Sequence, residues 1–142
     1  MNAVWHVLFG ISVVNFFIRN QNHSLISLII IYFITIIFST LPDVDLKMKS
    51  IIKHRTLTHS LLAIIILYYV FIGIERSVKG FNHNITLIAL ISYSSHIFLD
   101  IFSKKGISLF FPLSSRIRFY ITPLIVKILI ITLFVISFKM LI

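Results

Sequence analysis

The sequence predicts an all-α fold, an integral membrane helical bundle of four to five transmembrane helices. Mean hydropathy is +1.05 and 58% of the residues are hydrophobic, whereas apolar residues make up roughly half of an ordinary soluble domain even with glycine counted. Long apolar runs alternate with segments that hold most of the lysine and arginine. The chain of 142 residues has no internal repeat and no linker-like tract, so it reads as one membrane-embedded domain over residues 1–142.

The apolar runs cover about residues 3–18, 24–41, 57–74, 85–102 and 121–141. Most approach the roughly 17 to 25 residues that a helix needs to cross a bilayer. The first is barely long enough and is interrupted by His6, Gly10, Ser12 and Asn15, so it is expected to lie re-entrant or to pack inside the bundle. It does not read as a signal peptide, because no basic stretch precedes it and no small-residue cleavage site follows. The second run stops before Pro42, which tends to end a helix and hold the residue before it extended. Thr58 is the expected N-cap of the third, which places His59 in its first turn. The fourth carries His96 and Asp100 at its exit, and the fifth offers almost nothing polar at its centre. Trp5, Tyr93 and Tyr120 are the expected anchors at the membrane interface.

A formal net charge of +9 would suggest nucleic acid in a soluble protein. Here the basic residues lie between apolar runs, where they set topology and meet anionic lipid, so membrane lipid and not nucleic acid is the expected partner. The loop from Pro42 to Thr58 holds Lys47, Lys49, Lys53 and Arg55, and the loop from Ser103 to Tyr120 holds Lys104, Lys105, Arg116 and Arg118. The opposite side holds Arg19, Arg76, Lys79 and Lys139. This excess places both long loops and the N-terminus in the cytoplasm, with the C-terminus outside.

Alternating helix directions then bring His6, Asp43, Asp45, His54, His59, His96 and Asp100 to one face of the membrane, and His23, His83 and Glu75 to the other. The chain has only four carboxylates, and an acid within a membrane bundle is costly enough to mark a functional site. His96 and Asp100 are spaced i, i+4 and stack on one helix face, fit either for a shared ion or for a hydrogen bond that satisfies both. Asp43 and Asp45 repel unless a cation or proton lies between them; alternatively they are solvated turn residues. Around His54 and His59 the start of a helix suits a neutral imidazole ligand or a phosphate, and Arg55 could clamp phosphate oxygens. The plainer reading there is a basic flank with snorkelling side chains. With no cysteine, any metal must be held by His and carboxylate.

Leu41-Pro42-Asp43-Val44-Asp45, His54-Arg55-Thr56-Leu57-Thr58-His59-Ser60, Ser95-His96-Ile97-Phe98-Leu99-Asp100, Gly106-Ile107-Ser108-Leu109-Phe110-Phe111-Pro112 and Arg116-Ile117-Arg118-Phe119 occur in the order seen in the YdjM-like family. The chain resembles these small inner-membrane proteins, described as metal-dependent hydrolases and in part LexA-regulated, over most of its length. The resemblance implies His6, Asp43, His59, His96 and Asp100 as metal ligands, with Asp45, His54 and Arg55 as further site residues. The chain departs from the family pattern at Leu46, where members often carry His, at Lys53, where they carry Gly, and at Ser103-Lys104, where they commonly have Thr-Pro.

The reading that results is a membrane-embedded metal-dependent hydrolase acting on a phosphoester, with a lipid headgroup at the cytoplasmic face as the natural substrate. Zinc is the divalent ion that a thiolate-free set of His and carboxylate favours. Asp45 or His54 would serve as general base and Arg55 would stabilise developing charge. Two other classes use parts of the same sequence: a non-catalytic metal-binding or metal-transporting protein, and a structural, holin-like membrane protein.

Overall fold

The computed structural model describes residues 2–46, 57–78, 83–113 and 116–141. They form five α-helices: α1 (Ala3–Ile18), α2 (Leu25–Thr40), α3 (Leu61–Ser77), α4 (His83–Ile101) and α5 (Pro123–Lys139), with a 3-10 segment, Leu41–Leu46, directly after α2. No strand occurs among the described residues, only an isolated antiparallel bridge between Ile107 and Ile117. The all-helical expectation therefore holds. Two helices, Leu25–Val44 with 20 residues and Asn84–Ile101 with 18, are long and apolar enough to cross a membrane. α3 and α5 have 17 residues each and are about 26 Å long at 1.5 Å per residue, slightly under the roughly 30 Å of a bilayer core.

α1 lies against α2, α4 and α5, while α3 packs along α4. The polar interruptions of α1 are what it buries: His6, Gly10, Ser12 and Asn15 face inward together with Val14 and Ile18. Close approach at Gly10 explains its side chain's absence, since a Cβ there would stand 2.1 Å from the Ser39 hydroxyl oxygen and 3.4 Å from that of Ser95. Farther along α1, Asn15 donates to the Ser137 hydroxyl of α5 at 3.3 Å and accepts from the Tyr32 hydroxyl of α2 at 3.0 Å. Thr35, Ser92 and Ser95 are buried too, each donating to a carbonyl one turn back in its own helix. Meanwhile Leu25, Ile29, Phe33, Leu124, Ile128 and Ile131 stand exposed. Polar groups inside and large apolar side chains outside are the arrangement that a lipid solvent rewards.

Apolar clusters fill the remaining space. Val14, Ile18, Ile31 and Ile88 close one end. Tyr93, Ile97 and Ile107 join α4 to α3 and the loop beyond α4, and Leu99, Val126 and Ile130 join α4 to α5 beneath Trp5 and Phe9. Tyr93 is thus a core residue, 5% exposed, and not the interface anchor expected of it; its hydroxyl donates to the Thr58 carbonyl at 2.6 Å.

The start of α3 differs as well. Ser60, not Thr58, is the N-cap, its hydroxyl accepting from the Ala63 amide at 3.3 Å. Leu61, the first helical residue, donates its amide to the Leu109 carbonyl at 2.9 Å, so an otherwise orphaned N–H is met by the loop after α4. That loop is itself pinned: Ile107 and Ile117 exchange amide hydrogen bonds of 3.0 and 2.9 Å. Gly106 turns it at φ +61, where a Cβ would lie 2.6 Å from the Ile117 carbonyl oxygen, a conformation and a space that only glycine meets.

Candidate metal centre

The five donors reach the site from four segments. His6 comes from the first turns of α1, Asp43 from the 3-10 segment where Pro42 has ended α2, His59 from the turn immediately before the α3 N-cap, and His96 with Asp100 from the end of α4. Ligand atoms of Asp43, His59, His96 and Asp100 all lie within 4.8 Å of one another. The His59 Nε2 is 3.3 Å from Asp100 Oδ2 and 3.8 Å from Asp43 Oδ1, and the His96 Nε2 is 3.7 Å from Asp43 Oδ1 and 3.9 Å from Asp100 Oδ2. Four donors at 2.1 Å around a tetrahedral zinc stand about 3.4 Å apart. The four nitrogen–oxygen separations lie within about 0.5 Å of that spacing.

His6 occupies a separate place. Its Nε2 is 3.6 Å from Asp100 Oδ1, the oxygen turned away from His59, and its ring stacks on that of His96 at 3.8 Å between centroids. Asp100 therefore faces His59 and His96 with one oxygen and His6 with the other.

The surroundings hold the imidazoles in one orientation. A carbonyl can only accept, so the 2.6 Å contact between His96 Nδ1 and the Ser39 carbonyl puts the proton on Nδ1 and leaves Nε2 as the acceptor that faces the cluster. This Nε2 is buried and has no hydrogen-bond partner among the described residues. The His59 Nδ1 lies 3.0 Å from the Thr58 hydroxyl, again directing Nε2 inward. His6, His59, His96 and Asp100 are at most 1% exposed, while the Asp43 side chain is 22% exposed, so the cluster is reached from solvent beside Asp43.

Charge makes the same point as geometry. Two carboxylate oxygens no more than 4.8 Å apart repel by about 3.5 kcal/mol or more at an effective dielectric of about 20. A divalent cation between them turns that cost into attraction. Donor chemistry, spacing and a buried, unpartnered imidazole nitrogen all fit such an ion.

A family model described as YdjM inner membrane protein matches residues 1–141. The chain belongs to that family. It is accordingly an inner membrane protein, in keeping with its inverted distribution of polar and apolar side chains. No curated protein and no solved structure matches it.

Of the remaining site residues read from the sequence, His54 and Arg55 lie outside the described residues, as does the side chain of Asp45, although its backbone belongs to the 3-10 segment. His23 and the backbone of His83 lie at the other end of the bundle, at the starts of α2 and α4. There Thr86 donates to Glu75 across α3 and α4. Sequence reasoning missed Ser39 and Gly10. Ser39 acts through a backbone carbonyl, which no residue type announces; a Gly and a buried Ser on facing helices were the only available sign of close approach.

Proposed function

We propose that this chain is a membrane-embedded, metal-dependent phosphoester hydrolase of four to five spans, with its centre at the cytoplasmic face. The observation that carries the reading is the convergence of Asp43, His59, His96 and Asp100 from three segments, with ligand atoms within 4.8 Å of one another. These residues would hold the cation, zinc before others on donor chemistry. His6 braces the outer oxygen of Asp100 or extends the shell. A divalent ion held there would supply Lewis acidity and lower the pKa of a bound water molecule toward neutrality.

The chain's own residues supply the rest. Asp45 or His54, adjoining the donors in sequence, would take the proton from the attacking water, and Arg55 would offset charge developing on phosphate oxygens. The exposed edge at Asp43 supports substrate entry from the interface. A transport role is supported less well, because the buried Thr35 and Ser92 hydroxyls are bonded to their own helices and the far end is filled by Val14, Ile18, Ile31 and Ile88.

Protein purified in detergent should contain a stoichiometric divalent metal by mass spectrometry and should hydrolyse at least one member of a phosphoester and phospholipid panel, in a manner lost with a chelator and restored with zinc. Absence of bound metal after reconstitution with zinc would end the proposal. Reporter fusions after Lys139 and near Asn84 should both report the outer side; a cytoplasmic signal from both would overturn the orientation.

A further inference from the structure

The end of the bundle that carries the donors also opens a cavity of about 400 Å³ between the start of α1, the segment after α4 and the first turns of α5. Lys104, Lys105 and Lys127 line it beside Trp5 and Tyr120, and no acid does so among the described residues. The Lys104 Nζ lies 5.7 Å from the Tyr120 ring centroid and the Lys127 Nζ 5.3 Å from that of Trp5, so both ammonium groups are gathered at ring faces within the cavity. α5 adds its own positive end: it starts here with Pro123, has no acid in its first turn and receives no side-chain hydrogen bond from its N-cap Thr122. Topology alone asks for basic residues in the loop. It does not ask for Lys127, which is half-buried within α5 and turned into the same cavity.

A mainly apolar groove of about 460 Å³ runs between α1 and α4, lined by Phe9, Val13, Leu90, Ile91 and Phe98 together with Ser94 and Ser95. Phe98 stacks with Phe9 at 6.1 Å and meets Phe102 edge-on at 5.2 Å. Phe102 is in turn a wall of the basic cavity. The Phe98–Phe102 ring contact therefore joins the wall of the groove to the wall of the basic cavity, so that the two spaces follow one another from a charged interfacial end to an apolar interior end.

We infer that they form one binding site for an anionic phospholipid, with the phosphate among Lys104, Lys105 and Lys127 and one acyl chain along the groove. A free phosphate would use the first space and leave the second without purpose; a lipid fills both. The cavity draws on residues next to two of the donors, since Trp5 precedes His6 and Phe102 follows Asp100 by two positions. The inference deepens the proposed function, on which the lipid's role as substrate rests, while the binding site stands on its own residues.

Trp5 is the chain's single tryptophan, so its emission reports on this cavity. Protein in phosphatidylcholine vesicles should show a saturable change in Trp5 emission as phosphatidylglycerol is added. At about 1 kcal/mol per basic residue near an anionic surface, half-saturation should require about fivefold more anionic lipid for Lys127→Gln and about a hundredfold more for the Lys104→Gln, Lys105→Gln, Lys127→Gln triple variant. Lys127→Arg should restore the wild-type response, which separates charge from damage to the fold. An equal response to phosphatidylcholine alone, an unaltered response in the triple variant, or the same saturating change with millimolar inorganic phosphate would each overturn the lipid assignment. Metal content on the same samples separates the two readings: a lipid response without bound metal supports this site and sinks the metal centre, and bound metal without a lipid response does the reverse.

Discussion

Asp100→Asn is the most informative single perturbation, because it keeps the side chain's volume and removes only its charge and one strong donor. Asp100 is 1% exposed and its two oxygens face His59, His96 and His6 at 3.3, 3.9 and 3.6 Å. Zinc in a four-donor structural site is held by about 10–16 kcal/mol. An equal share is about 2.5–4 kcal/mol for each donor, or about two to three orders of magnitude in Kd at 1.4 kcal/mol per tenfold. Competition for zinc against a chelating dye, on protein purified in detergent, measures the ratio directly. A thermal scan by circular dichroism guards against misfolding: the metal-free variant should melt no lower than the metal-free wild type, because it loses the repulsion between Asp43 and Asp100, and zinc at a hundredfold excess over the wild-type Kd should stabilise the wild type by about 2.7 kcal/mol and the variant hardly at all. A variant that binds zinc within threefold of wild type would refute the reasoning, since no buried carboxylate at these distances could be a ligand and matter so little.

Thr58→Val removes the hydroxyl 3.0 Å from His59 Nδ1 and should weaken zinc binding by about 10–100-fold while leaving the helix content alone, as measured by the same competition. Gly10→Ala drives a methyl group to 2.1 Å from the Ser39 hydroxyl oxygen; it should cost about 1–3 kcal/mol in thermal unfolding and also weaken metal binding, because Ser39 holds His96. Asn15→Ala breaks its bonds to Tyr32 and Ser137 and should destabilise by about 0.6–1.7 kcal/mol with metal affinity unchanged, which a melt and a zinc titration together decide. Arg55→Ala should retain zinc yet lower phosphoester turnover, whereas His83→Ala, whose backbone lies at the opposite end from His96, should match wild type in both assays.

The helices were legible because the bilayer imposes a simple rule on length and apolarity. The first run is observed as α1 over Ala3–Ile18, and the residues that seemed to weaken it, Gly10, Ser12 and Asn15, are its buried face. What periodicity could not supply was local competition. Thr58 and Ser60 are both good caps, and the choice fell to Ser60 because the Thr58 carbonyl is engaged by Tyr93 and its hydroxyl by His59. Tyr93 was misplaced for the same reason: an aromatic hydroxyl seeks water at an interface unless a buried carbonyl meets it. The donors stood out as rare acids and histidines, but contacts such as Asn15 with Ser137, 122 residues apart, leave no trace in local pattern.

The scattering of the donors along the chain also bears on how the protein is made. Asp43 and Asp100 bracket His59 and His96, and His6 leads them, so the cluster cannot close until α4 has been synthesised and laid against α1 and α2. α5, which contributes no donor, arrives afterwards and packs over a centre already complete, seating Val126 and Ile130 against Leu99. A cation captured at that stage would act as a clasp on the first four helices during biogenesis, so that a nascent chain truncated before α5 already carries every described donor, while one truncated before Asp100 lacks the residue that His6, His59 and His96 share.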